Sequence, residues 1–199
     1  LLFYSIFCSK KFVEIYLKSE LTNTKAEDLC GFTDKPKIDF PGGILSHGRK
    51  VKKIIFAHNW WRFGGAENIL LSWIIASKNI EELEAIDLAG KSSEIDSTLR
   101  DIFENNCKSQ YSLEGISQFP LIKLKFCWNL IIREEPDIIF LSANSFIYAL
   151  LPSIKKEFPE IKIIDILHNE ELFDSSWYGV SDEYKEFIDY RIVTSETWK

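Results

Sequence analysis

The sequence contains no methionine, and its four cysteines, Cys8, Cys30, Cys107 and Cys127, form no C-x-x-C pair. No histidine lies near them, so the spacing of zinc ligands is absent. A disulfide framework is not expected in a chain of 199 residues, and the cysteines predict reduced core thiols and an intracellular, cytoplasmic protein. Because the chain also begins at Leu1, we expect it to be a fragment of a longer product.

The chain also lacks an excess of positive charge. Its formal net charge is −6 at pH 7 and its isoelectric point is about 5.2, which argues against nucleic-acid binding, since that normally needs a basic face. No segment approaches the ~18 apolar residues of a membrane span. Apolar residues make up 46% of the chain and charged residues 27%, which is typical of a globular domain with a sizeable core.

Several motifs that define catalytic or nucleotide-binding sites are missing. The sequence has no G-x-G-x-x-G fingerprint for dinucleotides and no G-x-x-x-x-G-K-[ST] phosphate loop. It has no G-x-S-x-G nucleophile elbow and no H-E-x-x-H motif. The Asp-x-Asp pair that would hold a divalent metal on a sugar diphosphate is absent as well. We therefore expect neither a bound metal nor a dinucleotide cofactor.

Residues 1–50 differ in pattern from the rest of the chain. Residues 10–21 predict a helix with one apolar side. That side carries Phe12, Val13, Tyr16 and Leu17. The following residues are rich in turn formers. We interpret residues 1–50 as an extension that packs on the domain or belongs to an upstream part, and residues 51–199 as one domain.

From Val51 onward, short apolar runs alternate with helical patterns. The predicted strands cover residues 54–57, 83–89, 110–116, 137–141, 161–167 and 191–194. The predicted helices cover residues 66–77, 96–104, 119–133, a stretch capped by Asn144 that runs to about residue 158, and 182–189. Trp73 and Trp128 lie on helical patterns and are expected in the core. The alternation predicts an α/β fold, a Rossmann-like parallel sheet flanked by helices.

In a doubly wound sheet, ligands bind beyond the carboxyl ends of the strands. The segments that follow the predicted strands carry hydrogen-bonding and aromatic side chains suited to a polyhydroxylated ligand. They hold His58, Asn59, Trp60, Trp61, Arg62, Gly64, Gly65, Ser142, Asn144, His168, Asn169 and Glu170. A Gly-Gly turn at a helix start suits a phosphate, because the first N–H groups of a helix have no partner inside it. The pattern indicates a phosphorylated or nucleotide-linked sugar.

Each of these residues also has a purely structural interpretation. The two glycines can form a tight turn with no ligand, and His58 can be buried and hydrogen-bonded instead of facing the cleft. Trp61 can stack on a ligand or pack beneath its loop, and Arg62 can bind phosphate or stay solvated. His168 is the preferred cleft histidine, where it would bind hydroxyl groups or shuttle a proton.

Four segments, taken in order, resemble the N-terminal domain of a GT-B glycosyltransferase of family 4. They are FAHNWWRFGGAEN, EEPDIIFLSANS, IIDILHNEELF and DYRIVTS. The Gly-Gly-x-Glu turn of that family is matched by Gly64-Gly65-Ala66-Glu67, and its Pro-Asp-apolar strand by Pro136-Asp137-Ile138-Ile139. Its strand ending in His-Asp is matched by His168-Asn169, and its Asp-x-apolar-apolar-x-Ser strand by residues 189–195. The resemblance covers residues 51–199, although residues 142–145 read Ser-Ala-Asn-Ser where the family often has histidines.

The resemblance implies retaining transfer of a sugar from a nucleotide-sugar donor to a glycan or lipid-linked acceptor, without a metal. It implies that Gly64 and Gly65 meet the donor diphosphate and that His168 has the catalytic role. The implied acceptor-binding residues are His58, Asn59, Trp61, Arg62, Asn144 and Asn169. The C-terminal donor domain of the family, with its Glu-x7-Glu motif, would follow this sequence. The fragment is therefore not expected to catalyse transfer alone.

The family resemblance suggests a bacterial enzyme that builds a surface polysaccharide or a glycolipid. Its expected partners are the two substrates and its own C-terminal domain, and peripheral contact with the inner face of the membrane stays open. Two other interpretations remain. One is a different GT-B enzyme, such as a sugar-nucleotide epimerase, and the other is a non-catalytic α/β binding module.

Overall fold

The computed structural model describes residues 43–44, 50–59, 61, 65–78, 80, 82–90, 97–167 and 177–193. A two-residue ladder, Gly43–Ile44 antiparallel to Lys50–Val51, precedes the main sheet. The main sheet has six strands: β1 Lys53–His58, β2 Glu84–Ala89, β3 Ser109–Ser112, β4 Ile138–Ser142, β5 Lys162–Leu167 and β6 Tyr190–Val193. All neighbouring strands are parallel, in the order β3-β2-β1-β4-β5-β6. The predicted Rossmann-like α/β sheet is confirmed.

Helices connect the strands. They are α1 Gly65–Lys78, α2 Ser97–Asn106, α3 Leu113–Ile116, α4 Pro120–Glu134, α5 Ser145–Glu157 and α6 Trp177–Glu183, followed by a 3₁₀ turn at Lys185–Phe187. Asn144 caps α5 as predicted, since its side-chain oxygen accepts a hydrogen bond from the Ile147 N–H at 3.3 Å. No helix in these described ranges is long and apolar enough to cross a membrane.

Two predicted elements differ from the structure. The strand predicted at 110–116 ends at Ser112, because the Ser112 hydroxyl accepts from the Gly115 N–H at 3.4 Å and starts α3. The helix predicted at 182–189 was wrong in its extent, since α6 begins at Trp177 and ends at Glu183. Its inward face carries the polar Ser181, fully buried, and this hides the apolar periodicity on which the prediction depended.

The core has two layers because successive side chains of a strand point to opposite faces of the sheet. On the face that we call the front, α1 and α2 pack through Leu70, Ile74 and Phe103 against alternate strand residues such as Phe56 and Phe140. On the opposite face, the back, α4 and α5 pack against the other strand residues. That layer includes Ile55, Ala57, Leu88, Ile139, Leu141, Leu130, Ile147 and Leu151.

The two tryptophans predicted for the core have different environments. Trp128 is buried in the back layer, as predicted. The prediction for Trp73 was wrong, since 46% of this residue is exposed and its ring lies beside Phe140 with a centroid distance of 5.4 Å. Because α1 is apolar on almost every side, helical spacing alone cannot identify which of its residues face the sheet.

Candidate functional site

The sheet has its topological switch point between β1 and β4. These two strands are neighbours, and the chain proceeds from them in opposite directions across the sheet. The register pairs His58 with Ser142 at the carboxyl ends of the two strands. Helix α1 begins at Gly65, after the loop that follows β1. In open α/β sheets a crevice forms at this place, and ligands bind in it.

A buried carboxylate organises the residues below this edge. Asp87, in the middle of β2, is fully buried, and its Oδ1 lies 2.6 Å from His58 Nε2. Its Oδ2 accepts hydrogen bonds from Trp61 Nε1 at 2.7 Å and from Gln110 Nε2 at 3.0 Å. With Asp87 ionised, its carboxylate only accepts hydrogen bonds, and the ring N–H of His58 that faces it is then the one on Nε2. Asp87 thus joins the end of β1, the following loop and β3.

The ends of three strands are also joined through the backbone of His58. Its carbonyl oxygen accepts from the Gly90 N–H at 2.8 Å and from Asn144 Nδ2 at 3.0 Å. Gly90 lies so close to the loop that an added Cβ would meet both Asn59 oxygens at 3.3 Å. The Asn144 side chain therefore makes two contacts: its oxygen caps α5, and its nitrogen donates to the end of β1. Hydrogen bonds thus connect the carboxyl ends of β1, β2 and β4 at the switch point.

The structure brings together four of the predicted site residues: His58, Asn59, Trp61 and Asn144. Three of them have almost no contact with solvent, since His58 is 2% exposed, Trp61 3% and Asn144 1%. Asn59 is half-buried. In this conformation the polar atoms of the three buried side chains bind other protein groups. A contact between these residues and an acceptor stays a prediction.

Of the remaining predicted site residues, the structure describes Gly65 but not those in the loops that follow β1 and β5. Gly65 is the first residue of α1, where a phosphate-binding glycine is expected. Six of the remaining residues lie outside the described part of the chain: Trp60, Arg62, Gly64, His168, Asn169 and Glu170. Their predicted contacts with donor or acceptor are therefore not tested.

Sequence reasoning missed Asp87, Gln110 and Gly90. For Asp87 a clue was present, because it is the only charged residue between Ala85 and Ala89 in a buried apolar strand. A lone carboxylate in such a strand needs hydrogen-bond donors. No comparable clue in the sequence identifies Gln110 or Gly90, since both are ordinary residues for a strand end and a turn.

A second buried aspartate lies on the back face. Asp165 of β5 is fully buried and accepts hydrogen bonds from the Tyr148 hydroxyl at 2.7 Å and the Ser181 hydroxyl at 2.5 Å. Burial raises the pKa of Asp165 above its usual value, although Ser181, Tyr148 and the positive charge of Arg191 act in the opposite direction. Burial and the neighbouring Asp165 also raise the pKa of Tyr148 well above its usual value.

In the part of the chain that the structure describes, no three His, Cys, Asp or Glu side chains form a group that could hold a metal ion. No model of a known protein family matches the chain, and no protein of curated function matches it significantly. Any assignment of function therefore depends on the fold and on the residues at its carboxyl edge.

Proposed function

We propose that residues 51–199 form the acceptor-side domain of a GT-B glycosyltransferase. The enzyme would transfer a sugar, with retention, from a nucleotide-sugar donor to a glycan or lipid-linked acceptor. The observation that carries the proposal is that helix α1 begins at Gly65, directly after the loop that follows β1, one of the two strands at the topological switch point. Two of the four segments that resemble family 4 glycosyltransferases include the carboxyl ends of β1 and β4, and the other two include β5 and β6.

The donor diphosphate is assigned to the start of α1. This helix has 14 residues, so its first N–H groups and its dipole favour an anion at that end. Glycine at positions 64 and 65 lets the phosphate approach the backbone without a side chain in the way. In this proposal a second domain of the full-length enzyme supplies the contacts to the donor sugar.

The acceptor and catalytic roles follow from burial and from position. We assign acceptor contact to Asn59, Arg62 and Asn169, and we assign the catalytic role to His168, in the segment that follows β5. His58, Trp61 and Asn144 would act by holding the loop after β1 in place, because their polar atoms bind inside the protein. Opening of that loop would be needed before these three could touch an acceptor.

A non-catalytic α/β binding module is the second candidate. The observation that favours it is the inward orientation of His58 and Trp61, both of which bind Asp87. Buried polar groups are hydrogen-bonded in folded proteins generally, and these two side chains present no polar atom to a ligand through those contacts with Asp87. The two candidates differ in one measurable property, which is the release of nucleotide from a sugar-nucleotide donor.

The test uses the full-length protein, a panel of nucleotide sugars and an assay for nucleotide release. Gly65→Val should lower turnover about tenfold or more, the equivalent of ~1.4 kcal/mol of lost phosphate interaction. The matched control is Ala76→Val, which adds valine at an exposed position of the same helix and should leave turnover nearly unchanged. Thermal melting of both variants checks that they fold.

Two outcomes would count against the transferase. If Gly65→Val and the parent release nucleotide at the same rate, the start of α1 does not bind the donor phosphate. Failure of the full-length protein to bind or turn over any nucleotide sugar would leave the non-catalytic module as the better description.

A further inference from the structure

Gly90 directly follows β2 at the carboxyl edge of the sheet. Its backbone N–H donates to the His58 carbonyl at 2.8 Å, which extends the pairing of β1 and β2 by one residue. The backbone of Gly90 does not lie in the left-handed region that favours glycine. The conformation at this position therefore does not require glycine, and the reason for a glycine is found in the space around it.

The space beside Gly90 is occupied by Asn59. A Cβ at position 90 would meet the backbone oxygen and the Oδ1 of Asn59 at 3.3 Å each, and the His58 carbonyl oxygen at 3.5 Å. A contact of 3.3 Å is tighter than most that Cβ atoms make, whereas 3.5 Å is an ordinary contact distance. A side chain at position 90 would therefore require Asn59 to move by a few tenths of an ångström.

The neighbours of Asn59 are held too firmly to share this movement. The His58 carbonyl accepts a hydrogen bond from Asn144 Nδ2 at 3.0 Å, and the His58 ring contacts Asp87. Trp61, on the other side of Asn59 in the sequence, donates to Asp87 Oδ2 at 2.7 Å. His58 and Trp61 are buried, whereas Asn59 is half-buried. The displacement would therefore fall on Asn59.

We propose that Gly90 is a positioning residue of the acceptor site, because the absence of a side chain there leaves room for the Asn59 carboxamide. This inference rests on the proposed transferase function, in which Asn59 contacts the acceptor. A carboxamide has N–H donors and an oxygen that accepts, so it can bind neighbouring hydroxyl groups of a sugar. Such hydrogen bonds depend steeply on distance and angle. The donor phosphate is assigned to other residues, at the start of α1, so a shift of Asn59 should affect the acceptor more than the donor.

The test measures nucleotide release by the full-length protein with the nucleotide sugar that the parent turns over fastest. The acceptor probes are the octyl glycosides of glucose, galactose and mannose, which combine a sugar ring with an alkyl chain. Since a misplacement of ~1 Å can lower a rate about a hundredfold, a shift of a few tenths of an ångström in Gly90→Ala should raise the acceptor KM about fivefold. The kcat and the donor KM should stay within about twofold of the parent.

The matched control is Gly115→Ala in α3. A Cβ at this position would lie 3.7 Å from Ser112 Cβ, an ordinary contact distance, so the control should change neither KM. Thermal melting of both variants checks that they fold. Asn59→Gln provides a second variant that leaves position 90 as it is. It keeps the carboxamide but moves it by one methylene, so it should also raise the acceptor KM.

A double-mutant cycle tests whether Gly90 acts through Asn59. Asn59→Ala removes the carboxamide and should itself raise the acceptor KM. In that background Gly90→Ala should raise it no further, because no carboxamide remains to be displaced. In protein labelled with nitrogen-15 asparagine, the side-chain amide signal that disappears in Asn59→Ala should shift in Gly90→Ala and stay in place in Gly115→Ala.

Four results would overturn the inference while leaving the transferase standing. They are an unchanged acceptor KM in Gly90→Ala or in Asn59→Gln, an effect of Gly90→Ala that persists in the Asn59→Ala background, an unshifted Asn59 amide signal in Gly90→Ala, and nucleotide release that no octyl glycoside accelerates. If the parent releases no nucleotide from any donor, the proposed function fails, and the acceptor role of Gly90 fails with it.

Discussion

The two faces of the sheet each contain a fully buried aspartate, and the two aspartates have different partners. On the front, Asp87 receives hydrogen bonds from His58, Trp61 and Gln110. On the back, Asp165 receives them from the hydroxyl groups of Tyr148 and Ser181. The partners of Asp87 lie at the end of β1, in the next loop and on β3, whereas those of Asp165 lie on α5 and α6.

This difference separates two roles for a buried carboxylate. The Asp87 network, which we call the front network, joins segments at the carboxyl edge of the sheet beside the topological switch point, and so determines the shape of the candidate site. The Asp165 network, which we call the back network, binds α5 and α6 to β5 on the opposite face of the sheet. Changes at Asp87 should therefore alter both stability and the candidate site, while changes at Asp165 should alter stability alone.

The largest expected effect comes from removing each carboxylate. Asp87→Ala should lower the free energy of unfolding by about 3–5 kcal/mol, because the buried imidazole, indole and amide groups of His58, Trp61 and Gln110 lose the carboxylate that they contact. Asp165→Ala should cost less, about 1–3 kcal/mol, since the two hydroxyl groups can rotate toward other acceptors. Urea denaturation followed by circular dichroism measures both. A larger loss for Asp165→Ala would contradict the ranking.

The sequence predicts much of the fold and only part of the candidate site. Strand and helix patterns follow from the spacing of apolar residues along the chain, which is local information. The partners of Asp87 are not local, since Trp61 and Gln110 come from segments on either side of β2. The environment of Trp73 could not be predicted either, because α1 is apolar on nearly all sides. The sequence leaves His58 either buried or facing the cleft, and the structure shows it buried with its Nε2 at 2.6 Å from Asp87.

The second prediction compares single donors on the two faces. Trp61→Phe keeps an aromatic ring but removes the N–H that Asp87 accepts, and Tyr148→Phe removes only the hydroxyl that Asp165 accepts. Each should cost about 0.5–1.5 kcal/mol, the range for a single intramolecular hydrogen bond. Amide hydrogen exchange should distinguish the effects of the two variants. Trp61→Phe should speed exchange near residues 58–61, and Tyr148→Phe should speed it in α6. Faster exchange near residues 58–61 in Tyr148→Phe would show that the two networks are coupled.

The third prediction uses the pH dependence of the back network. The pKa of Asp165 is raised in the folded protein, chiefly by burial. Folding therefore favours its protonated form, and the parent should lose stability as pH rises from the unfolded pKa of ~3.9 toward the folded pKa. The neutral variant Asp165→Asn has no carboxyl group at this position and therefore lacks this pH-dependent loss of stability. The stability of Asp165→Asn relative to the parent should thus rise through that pH window, by at most ~1.4 kcal/mol per pH unit.

Urea denaturation of both proteins at several pH values from about 2.5 to about 7 tests this expectation, because that range includes pH values on both sides of the unfolded pKa. Taking the difference between the two proteins removes contributions from other groups. A difference that stays constant with pH would show that the pKa of Asp165 is not raised. A difference that falls as pH rises would show that the shift has the opposite direction.

The smallest expected effect concerns Ala143, which lies between β4 and Asn144 and has a left-handed backbone with φ of 58°. This conformation costs a non-glycine residue roughly 1–2 kcal/mol. It lets the next residue both cap α5 and bind the His58 carbonyl, so the strain belongs to the front network. Ala143→Gly should relieve it and, after the entropy lost by glycine, raise the free energy of unfolding by ~0.5–1 kcal/mol. The same change at Ala76, within helix α1, should lower it by about 1 kcal/mol. If Ala143→Gly destabilises the protein as much as Ala76→Gly does, the backbone at position 143 is not strained, and the front network forms without a conformational cost.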